Sequence, residues 1–96
     1  MPAYMIVRVN VTDMEQYGEY MKLTPAIIEK YGGKFVVRGG EKVILEGPDV
    51  TDRMVVVKFP SVQVAKDFYN SEEYQHAISV RKDAAEASFV VVEGLE

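Results

Sequence analysis

Arg38 is the residue whose type and position most clearly suggest chemistry. It closes the strand-like run Lys34–Arg38, which turns at Gly39–Gly40. Because side chains alternate along a strand, Arg38 should share a face with Val36 and point away from Phe35. A guanidinium holds a carboxylate through two parallel hydrogen bonds. We therefore predict that Arg38 anchors a small organic anion; the alternative is that it belongs to a set of interface salt bridges.

Two further cations, Arg8 and Lys58, fall on the same predicted sheet face as Arg38. Cations on a half-buried surface need counter-charges. Glu46 and Glu93 are the predicted partners within the chain. Arg8 is accordingly a secondary candidate for contact with an anion.

Arg81 and several tyrosines are predicted to line the same site. Arg81 ends an otherwise apolar helical stripe, where it either reaches a ligand or compensates the carbonyl end of the helix. Five tyrosines occupy inward helical positions: Tyr17, Tyr20, Tyr31, Tyr69 and Tyr74. Most should be core residues whose hydroxyls find a partner. Tyr17, Tyr31 and Tyr69 are the candidates for lining a pocket between helix and sheet.

His76, the only histidine, is a weak candidate for catalysis. An imidazole can act as a general base near neutral pH. His76 lies off the apolar helical face that Tyr74 and Ile78 define, so it should be exposed. One histidine, no cysteine and no carboxylate pair beside it argue against a metal site. We expect no metal and no cofactor.

Composition limits the partners. The net charge of −4 and the pI near 5.0 argue against a nucleic-acid partner, which needs a basic face. No apolar run approaches the ~20 residues of a membrane span, and no signal peptide is recognisable. The absence of cysteine excludes disulfides. We expect a single cytoplasmic domain over residues 1–96.

Hydrophobic periodicity and turn residues predict the order β-α-β-(β)-β-α-β. The predicted segments are a strand over Ala3–Val11, a helix from a Thr12–Glu15 capping box to about Tyr31, a strand over Lys34–Arg38, a short strand candidate over Val43–Glu46, a strand over Arg53–Phe59, a helix capped by Ser61, a further helix start at Ser71, and a strand over Phe89–Glu93. Pro25 should kink the first helix or force a fresh start capped by Thr24.

This order predicts an α+β, ferredoxin-like fold, in which a four-stranded antiparallel sheet carries its helices on one face. The uncovered face would be formed by Tyr4, Ile6, Val36, Met54 and Val56. Such a face is too apolar for a monomer. A second copy, packed sheet against sheet about a two-fold axis, would cover it. The alternative is a mildly apolar monomer surface.

Several short blocks occur together along the chain: Tyr31–Gly40, Leu45-Glu46-Gly47, Phe59-Pro60-Ser61, Phe68–Ser71, Glu73-Tyr74 and Arg81. Because these blocks occur in combination, the sequence resembles the bacterial family catalogued as domain of unknown function 1330. The resemblance implies a dimeric α+β barrel, in a superfamily with cofactor-free monooxygenases, lactone isomerases, haem enzymes and ligand-sensing domains. It implies a fold and no settled activity. A small residue is more usual where this chain has His76, so the resemblance gives His76 no family-wide role.

The sequence therefore predicts a homodimer that binds a small anionic or aromatic molecule between helices and sheet. Whether it also acts on that molecule without a cofactor is left open. The alternative function is a structural or ligand-sensing dimer module without catalysis.

Overall fold

The computed structural model of the chain describes residues 1–48 and 52–95. Its elements are β1 (Ala3–Val11), α1 (Met14–Lys30), β2 (Lys34–Arg38), β3 (Arg53–Phe59), α2 (Val62–Tyr69), α3 (Glu72–Val80) and β4 (Ala85–Glu93). This order confirms the predicted ferredoxin-like fold, with two helices between β3 and β4. The predicted helix start at Ser71 is also confirmed, because its side chain accepts from the Tyr74 amide at 3.2 Å.

The strands form one antiparallel sheet in the order β2-β3-β1-β4. The central strand β1 pairs with both β3 and β4. Met5, Val7 and Val9 of β1 are buried in the core that the helices share with the sheet. Tyr4 and Ile6 alternate with them and point to the other face, where they are half-buried. The strict alternation of β1 thus separates a helix-covered face from a face without helices.

The N-terminal cap of α1 differs from the prediction. Asp13 caps the helix, since its carboxylate accepts from the Gln16 amide at 3.2 Å. Thr12 lies just after the end of β1, and its backbone N–H donates to the Ala84 carbonyl at 2.8 Å. The predicted Thr12 capping box is therefore wrong by one residue.

Three other boundaries also differ from the prediction. Pro25 lies inside one continuous helix, so the predicted fresh start at Thr24 is wrong. The last strand begins at Ala85 and not at Phe89, because its first half pairs with the end of β1. Val43–Glu46 is not a strand, and its side chains are exposed. This short apolar segment pairs with no strand among the described residues.

A β-bulge in β2 decides where Arg38 points. The paired positions of β2 and β3 are Lys34 with Lys58, Phe35 with Val57, Val37 with Val56, and Arg38 with Val55. Val36 is therefore an extra residue, and it reverses the alternation after it. Arg38 lies opposite Val55, on the helix-covered face. The prediction that Arg38 shares a face with Arg8 and Lys58 is wrong for this reason.

The face without helices, called the open face below, is largely apolar. By strand register it is formed by Tyr4, Ile6, Val37, Met54, Val56, Val90 and Val92 beside Arg8, Lys34 and Lys58. Val90 is 58% exposed and Val92 is 48% exposed. The bulge places Val37 on this face in the position predicted for Val36. Each described helix packs on the opposite side of the sheet.

Aromatic rings fill the core between helices and sheet. The ring of Phe68 on α2 lies 5.1 Å from that of Phe59 on β3 and 4.4 Å from that of Tyr74 on α3, centroid to centroid. All three side chains are fully buried. Burying each contributes roughly 1.5–3 kcal/mol to folding. The rings hold α2 and α3 against one part of the sheet.

The end of α1 places two glycines against the sheet. Gly32 has φ 75°, the left-handed conformation that glycine readily adopts just after the end of a helix. Gly33 is constrained by packing, because an added Cβ would lie 2.8 Å from the Ile28 side chain and 2.8 Å from the Phe59 ring. The close approach of α1 to β3 therefore requires glycine at position 33.

We expect Gly33→Ala to lower the free energy of unfolding by about 1–3 kcal/mol, because the added methyl group overpacks the core. Urea unfolding measures the change. Gly18→Ala is the matched control: its added methyl group meets nothing within 4 Å, and replacing a glycine inside a helix should stabilise by about 0.5–1 kcal/mol. Parental stability in Gly33→Ala would contradict this packing.

Candidate functional site

A cavity lies between α1 and the helix-covered face of the sheet. Its volume, counted as the space open to the centre of a water molecule, is about 40 Å³. One water needs roughly 10–15 Å³ on this measure. The cavity can therefore hold a few waters or a small ligand group. Its lining consists of Met5, Val7, Tyr17, Tyr20, Met21, Thr24, Ile28, Phe35, Arg38, Arg53, Val55, Val57, Phe68, Tyr74 and Phe89.

Arg38 lies at the edge of this cavity. Its guanidinium carbon is 4.5 Å from the centroid of the Phe35 ring, a cation–π arrangement. Arg38 is exposed, and it also lines a neighbouring groove beside Gly32 and Gly33. Because Arg38 is exposed, its guanidinium is accessible to a molecule that enters from the β2 side.

Arg53 is a second cation in the cavity lining, and it is not among the site residues predicted from the sequence. It pairs with the buried Val9, so it lies on the helix-covered face. Its Nε is buried and has no hydrogen-bond partner within residues 1–48 and 52–95. The guanidinium packs directly on Gly39, where an added Cβ would lie 2.5 Å from Nη1. The alternation that places Val55 inward could have revealed Arg53.

The cavity lining is unbalanced in charge. Arg38 and Arg53 are its cations, and it contains no aspartate or glutamate. Asp52, the acid next to Arg53 in sequence, lies 3.8 Å from Arg8. Both charged side chains of the lining are therefore positive, a composition that favours an anion over a cation.

Three tyrosines add hydroxyl groups to the lining. The hydroxyl oxygens of Tyr20 and Tyr74 are 2.5 Å apart and form a buried hydrogen bond. The Tyr17 ring lies 5.2 Å from that of Tyr20. Burial raises the pKa of Tyr17, Tyr20 and Tyr74 above the ordinary 10.0, because it disfavours the phenolate. All three hydroxyls are neutral at physiological pH.

Arg81 lies behind the tyrosines and does not line the cavity. Its guanidinium carbon is 5.3 Å from the Tyr20 ring centroid and 5.6 Å from that of Phe89. Its Nε is buried without a partner among the described residues. Arg81 also lines a separate groove that includes Lys66 and Tyr69. The structure therefore brings Arg81 to the tyrosine pair, away from the predicted grouping with Arg38.

The other predicted site residues lie elsewhere. Arg8 is on the open face, and Tyr31 packs against Phe68 with ring centroids 6.1 Å apart, outside the cavity lining. Tyr69 is 36% exposed. His76 is exposed on α3. Of the predicted residues, Arg38 and Tyr17 line the cavity.

The counter-charges predicted for the open face are also wrong. Glu93 pairs with Ala3, whose side chain faces the helices, so strand register excludes Glu93 from the open face. Glu46 forms no salt bridge among the described residues. Arg8 pairs with Asp52 instead.

Within this same part of the chain, no group of three or more His, Asp or Glu side chains could hold a metal ion. No described helix is long and apolar enough to cross a bilayer.

Comparison with known proteins shows one family and one fold. A family model described as Domain of unknown function (DUF1330) matches residues 2–95. A protein of unknown function from Rhodopseudomonas palustris is 24% identical with a TM-score of 0.78, over 99% of this chain and 83% of that one. A dimeric ferredoxin-like protein of unknown function from Jannaschia sp. CCS1 is 14% identical with a TM-score of 0.73, over 98% and 100% of the two chains.

A further similar structure has a stated activity. SnoaB, a cofactor-independent oxygenase from Streptomyces nogalater, is 10% identical with a TM-score of 0.67, over 99% of this chain and 94% of that one. At this identity the likeness shows the fold alone. No curated protein matches the chain.

The buried tyrosines predict a loss of stability at alkaline pH. Each raised pKa means that the folded state binds the hydroxyl proton more tightly than the unfolded state does. This contribution is complete below the unfolded pKa of 10.0 and is lost as the pH rises above it. Tyr74→Phe removes one such proton. Above pH 10.0, the free energy of unfolding of this variant should therefore fall less steeply with pH than that of the parent, by about 1.4 kcal/mol per pH unit.

Urea unfolding of the parent and Tyr74→Phe between roughly pH 9 and pH 11 measures this slope. The exposed Tyr69 provides the matched control, Tyr69→Phe. Identical pH dependence in the parent and Tyr74→Phe would show that the Tyr74 hydroxyl is not buried as described.

Proposed function

We propose that this chain, which belongs to the family described as Domain of unknown function (DUF1330), is a homodimer that binds a small planar carboxylate in the cavity under α1. Arg38 and Arg53 hold the carboxylate. The observation that carries this proposal is the cavity lining itself, in which two arginines face no acidic side chain.

The energetic argument begins with Arg53. A buried donor left without an acceptor costs about 1–3 kcal/mol, and more when the group is charged. The Arg53 Nε is such a donor within the described part of the chain. A carboxylate in the cavity would accept from it and would neutralise part of the charge of Arg38. Ligand binding would thus recover a cost that the free protein carries.

The rest of the lining selects the body of the ligand. Met5, Val7, Ile28 and Val57 form aliphatic walls, and Phe35 adds an aromatic edge. Such walls favour a flat apolar group and offer nothing to a strongly hydrated one. A benzoate-like monoanion matches both the charge and the walls.

The geometry favours binding over catalysis as the function. The cavity lining contains no carboxylate and no imidazole, and burial raises the pKa of Tyr20 and Tyr74 so that neither phenol is a ready base. SnoaB is described as an oxygenase, but its likeness to this chain is one of fold. A ligand-binding or ligand-sensing dimer is therefore the function that we propose.

Benzoate is the probe that tests the anion site. Arg38→Gln and Arg53→Met should each weaken benzoate binding at least about tenfold, because each removes a charge-assisted hydrogen bond. Isothermal titration calorimetry measures the dissociation constant. Arg53→Met should also keep or raise the melting temperature, since it removes a buried donor without a partner.

Lys22→Gln is the control for the first variant, because it makes the same charge change at an exposed position on α1, where Lys22 contacts Glu19. It should bind benzoate as the parent does. Failure of the parent to bind benzoate at millimolar concentration, or an affinity equal to that of the parent in both Arg38→Gln and Arg53→Met, would overturn the proposed site.

The dimer is proposed through the open face. Contiguous apolar surface of this kind is rare on monomers, and two-fold packing of sheet on sheet buries it on both copies. The relative from Jannaschia is described as dimeric, as is a ferredoxin-like relative from Bacteroides fragilis. A second copy is therefore the occupant that we assign to this face.

Sedimentation equilibrium should give the parent twice the chain mass of 10.8 kDa. Val90→Lys should shift the protein toward the single-chain mass, because Val90 is 58% exposed in one chain and its lysine would be buried in the proposed interface. Gln63→Lys, at an exposed position on α2, adds the same charge and should leave the mass unchanged. A parent with the single-chain mass at micromolar concentration refutes the proposed dimer.

A further inference from the structure

The buried hydroxyl pair of Tyr20 and Tyr74 has an unused donor. Two neutral hydroxyls carry two protons, and only one proton can lie in the 2.5 Å bond between their oxygens. The Arg81 guanidinium interacts with both hydroxyls and can only donate to them. Among the described residues, neither hydroxyl has an acceptor beyond the bond that joins the pair. Both tyrosines line the cavity. The second O–H is therefore a buried donor beside the proposed ligand site.

Arg81 fixes the polarity of this pair. Its guanidinium lies over the Tyr20 ring, 5.3 Å from the centroid. A cation at this side attracts the oxygen lone pairs and repels the hydroxyl protons. The pair should consequently turn its lone pairs toward Arg81 and present its free O–H away from it. The group offered to a bound molecule is a hydrogen-bond donor.

The hydroxyl pair and the two cavity arginines stand on different elements of the fold. Arg38 and Arg53 stand on β2 and β3, whereas the Tyr74 ring lies 6.2 Å from that of Phe89 on β4. The sheet order β2-β3-β1-β4 puts β1 between β3 and β4. The strand that carries Arg53 is thus two strand spacings from β4, roughly 10 Å, and the strand that carries Arg38 is three, roughly 14 Å. A para-substituted benzene ring with a hydrogen bond of about 2.8 Å at each end spans a gap of this order.

We propose that the tyrosine pair is a second polar subsite, and that the ligand is a carboxylate whose flat apolar body carries an oxygen acceptor on the far side from the carboxylate. This inference rests on the proposed function and names its substrate class. Arg38 and Arg53 bind the carboxylate, and the free O–H of the Tyr20–Tyr74 pair donates to the distal oxygen. Arg81 is a positioning residue that acts through the hydroxyls.

Two probes of nearly equal shape isolate the distal contact. The para position of 4-hydroxybenzoate carries an oxygen, and that of 4-methylbenzoate carries a methyl group. The parent should bind 4-hydroxybenzoate about tenfold more tightly than 4-methylbenzoate, as expected for one buried hydrogen bond. Isothermal titration calorimetry with both probes gives the ratio directly.

The double variant Tyr20→Phe/Tyr74→Phe tests the assignment. It removes both partners of one hydrogen bond and keeps both ring shapes, so it should fold. It should bind 4-methylbenzoate as the parent does and should lose the preference for 4-hydroxybenzoate. Arg81→Met should reduce the preference and leave the affinity for 4-methylbenzoate unchanged. Arg38→Gln should instead weaken both probes and keep their ratio.

The outcomes separate this inference from the proposed function. Equal affinity of the parent for the two probes, or a preference that survives in the double variant, overturns the tyrosine subsite alone. Absence of binding of either probe to the parent overturns the anion site and the subsite together.

Discussion

The structure depends on one constraint: all the described helices pack on the same face of a four-stranded sheet. The core between this face and the helices needs large apolar side chains. Phe59 supplies one from the sheet, and Phe68 and Tyr74 supply two from the helices. The other face keeps the apolar alternation of β1, β3 and β4 and meets no helix. The fold thus creates two different surfaces from the same strands. The covered surface can enclose a ligand, and the open one suits a second copy.

The sequence predicts the elements well because each of them has a local signal. These signals each lie within a few residues of the chain. They are the alternation of Ala3–Val11, the caps at Ser61 and Ser71, and the glycines after α1. The cap at Asp13 was missed because Thr12 and Asp13 are both good capping residues. The choice between them depends on how the chain leaves β1, where the amides of both residues donate to the Ala84 carbonyl far along the chain. Long-range pairing of this kind has no local signature.

The bulge is the clearest limit of sequence reasoning. Val36 and Val37 are identical residues, so hydrophobic alternation cannot reveal which of them is extra. The register with β3 decides it, and this register moves Arg38 to the covered face. Arg53, by contrast, was predictable, because counting back from Val55 by two places it inward. A charged residue at the start of a strand is usually exposed, and this general rule argues against an inward Arg53.

An acidic chain can nevertheless hold an anion, because the two effects act over different distances. The net charge of −4 is spread over the surface and is screened beyond a Debye length of about 8 Å at physiological salt. Arg38 and Arg53 act on a cavity of low polarity, in which a charge interacts several times more strongly than in water. Asp52, the acid next to Arg53 in sequence, is directed to Arg8. In the proposed site, the local arrangement of charge, and not the sum over the chain, would therefore determine which ligand binds.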